Sequence, residues 1–166
     1  MKNKYQILIV GAGTGGIMTA AQLLNKDKNL DIAIIDPSEI HVYQPAWTLV
    51  GGGAFNFEKT KRPTSSVIPK RTTWIKDKVI SLEPNSSSLT TEKNGQISYD
   101  YLVLAPGLVY DLDGIEGLKE NLGKNGVCSN YTDPNYTWEL IKTSKEVMPF
   151  LRNPLHPSNV EVHLKK

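Results

Sequence analysis

Two short runs of apolar side chains near the start of the chain have the pattern of buried strands. Residues 5–10 read YQILIV and residues 31–35 read DIAII, and neither run is long enough for a helix. Between them, Ile17, Ala20 and Leu24 recur at the spacing of one helix face. A strand, a helix and a second strand in this order predict one βαβ unit of a parallel sheet.

The middle of the chain predicts irregular structure followed by a small group of strands. Residues 36–70 are rich in proline and glycine and have no regular period, which is typical of a long functional loop. Residues 73–75 (TWI) and 78–82 (KVISL) resemble edge strands, a turn follows at 84–88, and residues 96–104 (QISYDYLVL) begin with alternation and end apolar. We expect a small antiparallel insertion that returns to the main sheet.

The last part of the chain predicts one helix and an irregular tail. Asp133 and Pro134 suit the N-cap and first turn of a helix that ends near residue 146. Residues 147–166 contain prolines and no recognisable period. The expected fold class of residues 1–146 is therefore α/β: a Rossmann-like domain with a parallel sheet, a small antiparallel insertion and fewer strands than a complete domain of this kind.

Composition narrows the classes of protein that this pattern allows. The 166 residues, 39% hydrophobic and 22% charged, suit one globular domain and include no long apolar membrane segment. A net charge of +2 provides no broad basic face for nucleic acid. The single cysteine, Cys128, excludes an internal disulfide, and the histidines lack the spacing of metal ligands. Because the first strand begins at residue 5 and leaves no room for a leader, we expect a cytoplasmic location.

A glycine-rich turn between the first strand and the helix predicts a dinucleotide site. Gly11, Gly13 and Gly16 form G-x-G-x-x-G, in which the first permits a tight turn, the second admits a pyrophosphate and the third lets the helix pack closely. The N–H groups at the helix start favour negative charge. Asp36 follows the second strand and suits ribose hydroxyls. This fingerprint alone does not distinguish FAD from NAD.

Further motifs resemble one family of flavoproteins. YLVLAPG at 101–107 is similar to a second signature of flavoproteins that bind two dinucleotides, with Pro106 where threonine is common. HVYQPAWTLVGGG at 41–53, RPTSSVIP at 62–69 and GVCSNYTDPNYTWELI at 126–141 resemble sulfide:quinone oxidoreductases, in particular the mitochondrial-like branch. The likeness is nearly continuous from residue 5 to residue 146.

This resemblance implies a flavoenzyme that oxidises sulfide to sulfane sulfur on a cysteine pair and passes electrons through FAD to a membrane quinone. Complete members are peripheral membrane proteins. The positions that the resemblance assigns to FAD are Gly11, Gly13 and Gly16 at the pyrophosphate, Asp36 at the ribose, Gln44 and Pro45 at the flavin ring, the backbone near Val79 at the adenine, and Gly107 at the closure of the site.

The sequence also offers two ionisable side chains, Cys128 and His41, as candidates for chemistry. A Cys128 thiolate beside a flavin could attack or carry sulfur, whereas free cysteines are most often inert. Two thiols are needed for a disulfide relay, so Cys128 alone does not complete one. We interpret His41 as a loop hydrogen-bonder rather than a base.

The end of the sequence departs from the family. Members continue after residue 146 with a motif K-C-[AG]-G-A-P-Q-K, and a back-translation of residues 146–166 with one base restored after the Glu146 codon ends in KCGGAPQK. We therefore expect residues 147–166 to be out-of-frame translation and the truncated chain to be inactive. The alternatives are another quinone-linked flavoprotein, such as a type II NADH dehydrogenase, and a non-catalytic nucleotide-binding module.

Overall fold

The computed structural model describes residues 2–144, so the irregular tail predicted for 147–166 lies outside the described residues. The helices and strands are β1 Lys4–Val10, α1 Thr14–Lys26, β2 Ile32–Ile35, β3 Ile40–Val42, α2 Trp47–Gly51, β4 Lys61–Pro63, α3 Thr64–Val67, β5 Thr73–Ile75, β6 Val79–Glu83, β7 Ser88–Thr91, β8 Gly95–Leu104, α4 Leu118–Asn121 and α5 Pro134–Thr143.

The main sheet has the order β5-β2-β1-β8-β7-β6, and β5, β2, β1 and β8 run parallel. The predicted βαβ unit is confirmed as β1, α1 and β2, with Ile9 opposite Ile34. Both predicted edge strands are confirmed, but they lie at opposite edges of the sheet. The strand at 73–75 extends the parallel part beside β2 and takes no part in the antiparallel insertion.

The antiparallel insertion consists of β6, β7 and the first half of β8. Ser88–Thr91, which the pattern did not single out as a strand, pairs with both neighbours. The 10-residue strand β8 continues beyond this hairpin and pairs in parallel with β1 up to Leu104. In β6 the register shifts between Val79 and Ser81, which leaves Ile80 as a bulge on the edge strand.

A buried carboxylate holds the turn between β7 and β8. Asp77 is 1% exposed, and it accepts hydrogen bonds from the N–H of Lys78 (2.8 Å) and the side-chain amide of Asn94 (2.6 Å). Burial raises the pKa of this carboxyl, but hydrogen bonds from Lys78, Thr91, Asn94 and Lys93 outweigh burial and lower its pKa from 3.8 to about 2. Asp77 is therefore charged in the folded protein at neutral pH.

Residues 36–70 contain more regular structure than their composition predicts. β3 and β4 form a separate antiparallel ribbon, with His41 opposite Arg62. α2 packs against α5, and just after α2 a Cβ on Gly53 would lie 2.4 Å from the ring of Trp138. Strands β3 and β4 have only three residues each. They form because they pair with each other across the chain, and local periodicity does not reveal such pairing.

The apolar core lies on both faces of the main sheet, because β1 and β2 are buried on both sides. One cluster includes Ile9 and Ile34 and is covered by Ala20 and Leu24 of α1. The other includes Leu8 and lies beneath the antiparallel strands. No helix within residues 2–144 combines the length and the apolar run that a bilayer crossing requires.

Candidate functional site

The glycine-rich turn leaves β1 in a conformation that requires small residues. Gly11 has a φ of +101°, and a Cβ on it would lie 2.1 Å from the carbonyl oxygen of Ala105, at the end of the neighbouring strand β8. A Cβ on Gly16 would lie 1.9 Å from the carbonyl oxygen of Gly11. The turn, the start of α1 and the end of β8 are therefore in van der Waals contact, as the roles assigned to the first and third glycines require.

Gly13 differs from these two glycines because the space beside it is open. A Cβ on Gly13 would meet no atom within 4 Å, although its backbone conformation is accessible to any residue. Gly13 is the N-cap of the 13-residue helix α1, and no side chain caps this helix. Among residues 2–144, the N–H groups of its first turn thus have no side-chain partner, and they concentrate the positive end of the helix dipole beside open space. This is the arrangement that binds phosphate.

Asp36 stands at the end of β2 and is bonded to the turn. Its Oδ2 accepts a hydrogen bond of 2.6 Å from the N–H of Ala12, and its Oδ1 accepts one of 2.7 Å from the N–H of Ser38. The indole N–H of Trp74 donates to the backbone oxygen of Asp36 at 3.0 Å. Each carboxylate oxygen retains a lone pair, so Asp36 can still accept from a hydroxyl. The sequence offered no signal for the contribution of Trp74, since this residue follows in a separate strand.

His41 also contacts the turn. Its Nδ1 lies 3.0 Å from the carbonyl oxygen of Ala12, so this ring nitrogen donates the hydrogen bond. His41 thus makes a hydrogen bond as expected, although it lies in strand β3 and not in a loop. The peptide groups on both sides of Ala12 are consequently held, one by Asp36 and the other by His41.

Gln44 and Pro45 lie in an exposed 3₁₀ turn after β3. The side-chain amide of Gln44 donates to the hydroxyl of Tyr110 (3.3 Å) and to the carbonyl oxygen of Tyr131 (3.5 Å). It therefore joins this turn to the segment that follows β8 and to the segment that precedes α5. Gly107 has a φ of +83° in the first of these segments, and a Cβ on it would meet nothing within 4 Å.

Val79 and Cys128 lie in other parts of the structure. Val79 begins the edge strand β6, and its side chain packs beside the core cluster that contains Ile35 and Ile75. Cys128 is exposed in the segment between α4 and α5. Among the described residues, no hydrogen bond or ion pair joins Cys128 to the glycine-rich turn. The geometry therefore groups Gly11, Gly13, Gly16 and Asp36 around one turn.

This chain is similar in sequence to the N-terminal part of several known proteins. A mitochondrial sulfide:quinone oxidoreductase from Dictyostelium discoideum is 48% identical over 148 residues, which is 87% of this chain and 33% of that protein. The corresponding protein from Mus musculus is 40% identical over 147 residues, again 87% of this chain and 33% of that protein. The chain thus spans about a third of the length of these relatives.

A solved structure has the same fold. The sulfide:quinone oxidoreductase from Aquifex aeolicus superposes with a TM-score of 0.64 and 29% identity, over 83% of this chain and 32% of that chain. The sheet order and the small antiparallel insertion match the Rossmann-like fold of such oxidoreductases. Residues 5–147 match the family model described as pyridine nucleotide-disulphide oxidoreductase, and the chain therefore belongs to that family.

Proposed function

We propose that this chain forms the FAD-binding part of a flavoprotein of the sulfide:quinone oxidoreductase type. The observation that carries the proposal is the open, uncapped start of α1 at Gly13, with Asp36 bonded to the same turn. The identity of 48% to a sulfide:quinone oxidoreductase supports this type. The share of about a third of the relatives' length supports a part rather than the whole of such an enzyme.

The residues of the turn fit a dinucleotide. Gly13 leaves room for a pyrophosphate against the backbone, because a Cβ there would fill space that the protein leaves open. Asp36 keeps lone pairs for ribose hydroxyls while its bond to Ala12 orients the carboxylate. A free 2′-hydroxyl suits this carboxylate, whereas a 2′-phosphate would be repelled by it. We propose the remaining FAD contacts at Gln44, Pro45, Gly107 and the backbone near Val79.

FAD would supply the electron-transfer chemistry, and the chain would bind and orient it. Gln44 holds the exposed turn that contains Pro45 against two other segments, which would shield one side of a flat ring from water. The exposed thiol of Cys128 is accessible to sulfide, but the sequence contains a single cysteine and therefore no disulfide relay. We propose sulfide and a quinone as partners of the complete enzyme, with membrane association through parts outside residues 2–144.

FAD binding by the purified full chain tests this proposal. We expect a Kd in the micromolar range or tighter, which corresponds to about −8 kcal/mol. Gly13→Ala should weaken FAD binding about tenfold or more, because the new methyl group occupies the space for the pyrophosphate, and should cost less than about 1 kcal/mol of stability. Gly52→Ala is the matched control, because its Cβ would meet its nearest atom, Thr48 O, at an ordinary 3.5 Å.

Flavin fluorescence during titration measures both affinities, and urea unfolding measures both stabilities. Equal FAD affinity for the wild-type chain and Gly13→Ala, or binding of NAD in preference to FAD, would contradict the proposed site. We also expect no sulfide-dependent quinone reduction from this chain alone, and turnover would refute its description as an inactive part.

A further inference from the structure

We propose that His41 is a positioning residue that sets the direction of the Gly13 N–H for the pyrophosphate. The inference rests on the proposed function, because it assigns a role within the FAD site. It starts from the contact of 3.0 Å between Nδ1 of His41 and the carbonyl oxygen of Ala12.

Peptide geometry connects this contact to Gly13. The carbonyl of Ala12 and the N–H of Gly13 belong to one planar trans peptide group, so they point in opposite directions. A donor that holds the carbonyl oxygen therefore also fixes the direction of the N–H. Because His41 lies on the side of the Ala12 oxygen, the Gly13 N–H points away from the β3–β4 ribbon.

The Gly13 N–H is available for a ligand. Among residues 2–144, no atom accepts a hydrogen bond from it. The position beside Gly13 is also open, since a Cβ would meet nothing within 4 Å. A donor of fixed direction beside open space is preorganised for an oxygen of the pyrophosphate, and it loses little entropy when the ligand binds.

The ribbon that carries His41 is anchored at both ends. The N–H of Tyr43 donates to the carbonyl oxygen of Thr60 at 2.8 Å, and the N–H of Thr64 donates to that of Glu39 at 2.8 Å. His41 itself lies opposite Arg62 in the ladder between the two strands. The His41 ring is thus held by the β3–β4 ribbon, which lies outside the βαβ unit. On this inference, the role of the ribbon is to hold the ring against the glycine-rich turn.

Asp36 and His41 act on successive peptide groups. Asp36 binds the N–H of Ala12 and orients the peptide before this residue, whereas His41 binds its carbonyl oxygen and orients the peptide after it. Loss of the Asp36 carboxylate would remove both a ribose contact and a turn contact. Loss of the His41 donor removes only the turn contact. A change in FAD affinity in a His41 variant therefore reports the orientation of the Gly13 N–H alone.

The test uses the full chain labelled with ¹⁵N and three variants. His41→Phe keeps a ring and removes the donor, whereas His41→Asn retains an amide N–H at the position of Nδ1. Trp47→Phe is the matched control, since it removes another ring N–H bond in the same segment, that of 3.3 Å to the Thr60 hydroxyl. The measurements are the ring nitrogen shifts of His41, the amide resonance of Gly13, the Kd for FAD and the melting temperature.

We expect His41 in the Nδ1–H tautomer. His41→Phe should move the Gly13 amide resonance and weaken FAD binding about three- to tenfold, the effect of one hydrogen bond, and His41→Asn should restore both. Trp47→Phe should leave the Gly13 resonance in place even where it lowers the melting temperature. If His41 had a merely structural role, His41→Phe would lower the melting temperature but would leave the Kd of the folded chain for FAD unchanged.

An unprotonated Nδ1 in the wild-type chain would overturn the inference, and this measurement needs no variant to fold. An unchanged Gly13 resonance with a Kd within twofold in His41→Phe would also overturn it. If the wild-type chain does not bind FAD, the proposed function fails, and the tautomer and the Gly13 resonance still decide whether His41 holds the turn.

Discussion

A methyl group added at Gly16 tests the close contact between α1 and the glycine-rich turn. In Gly16→Ala the new Cβ would lie 1.9 Å from the carbonyl oxygen of Gly11 and 3.2 Å from Cγ2 of Ile9. Both neighbours are buried parts of β1 and its turn, so neither can rotate away as a flexible side chain would. The first turn of α1 must therefore move away from the sheet. Gly15→Ala is the matched control, because its Cβ would meet only Ala105 Cβ at 3.8 Å.

The two variants should change stability in opposite directions. Overpacking of a buried site costs about 1–3 kcal/mol, whereas alanine gains up to about 1 kcal/mol over glycine in a helix. Gly16→Ala should therefore lose about 1–2 kcal/mol, and Gly15→Ala should gain a few tenths to about 1 kcal/mol. The separation of about 1–3 kcal/mol corresponds to roughly 4–10 °C in Tm for a domain of this size.

Urea unfolding of the full chain without FAD, followed by far-ultraviolet circular dichroism, measures this separation. FAD is left out so that a change in ligand binding does not add to the change in packing. The m-value should stay the same in the wild-type chain and both variants. A Gly16→Ala chain as stable as Gly15→Ala would refute the close contact at Gly16.

Other substitutions test other contacts. Gly11→Ala should destabilise by more than about 2 kcal/mol in the same unfolding assay, because it combines a φ of +101° with a Cβ 2.1 Å from Ala105 O, and a cost under 1 kcal/mol would contradict this geometry. Gly53→Ala should loosen α5, which a shift in Trp138 fluorescence would report, and an unchanged spectrum would count against the contact of 2.4 Å. Asp77 has a folded pKa of about 2, below its ordinary 3.8, so its contribution is present above pH 4 and is lost as the pH falls through about 2. Asp77→Asn should remove that pH dependence from stability measured between pH 2 and pH 5.

The parts of the fold that the sequence predicts are those specified by local pattern. The strands at 5–10 and 31–35, the helix between them and the acid after the second strand all depend on short-range periodicity and on glycine spacing. Asp133 indeed caps α5, as its side chain accepts a hydrogen bond of 3.0 Å from Tyr136 N–H. The helix ends at Thr143, three residues before the predicted end, because periodicity marks helix ends less sharply than caps do.

The parts that the sequence does not predict depend on contacts across the chain. The β3–β4 ribbon pairs two three-residue strands, one of which ends in Pro63, and no local signal shows that His41 faces Ala12, 29 residues away. Similarly, Trp74 supports Asp36 from a strand 38 residues later. The parallel position of β5 follows from the order of strands in the sheet rather than from its own residues. The sequence thus identifies the glycine-rich turn and Asp36 but not the residues that hold them in place.

The bulge in β6 affects how neighbouring molecules can meet at high concentration. Ile80 is 59% exposed and Leu82 is 42% exposed on an edge strand, a combination that invites intermolecular strand addition. The register shift between Val79 and Ser81 interrupts the regular alternation of donors and acceptors along this strand. A strand of a second molecule could therefore not pair in continuous register along β6, so the bulge works against intermolecular pairing at this edge.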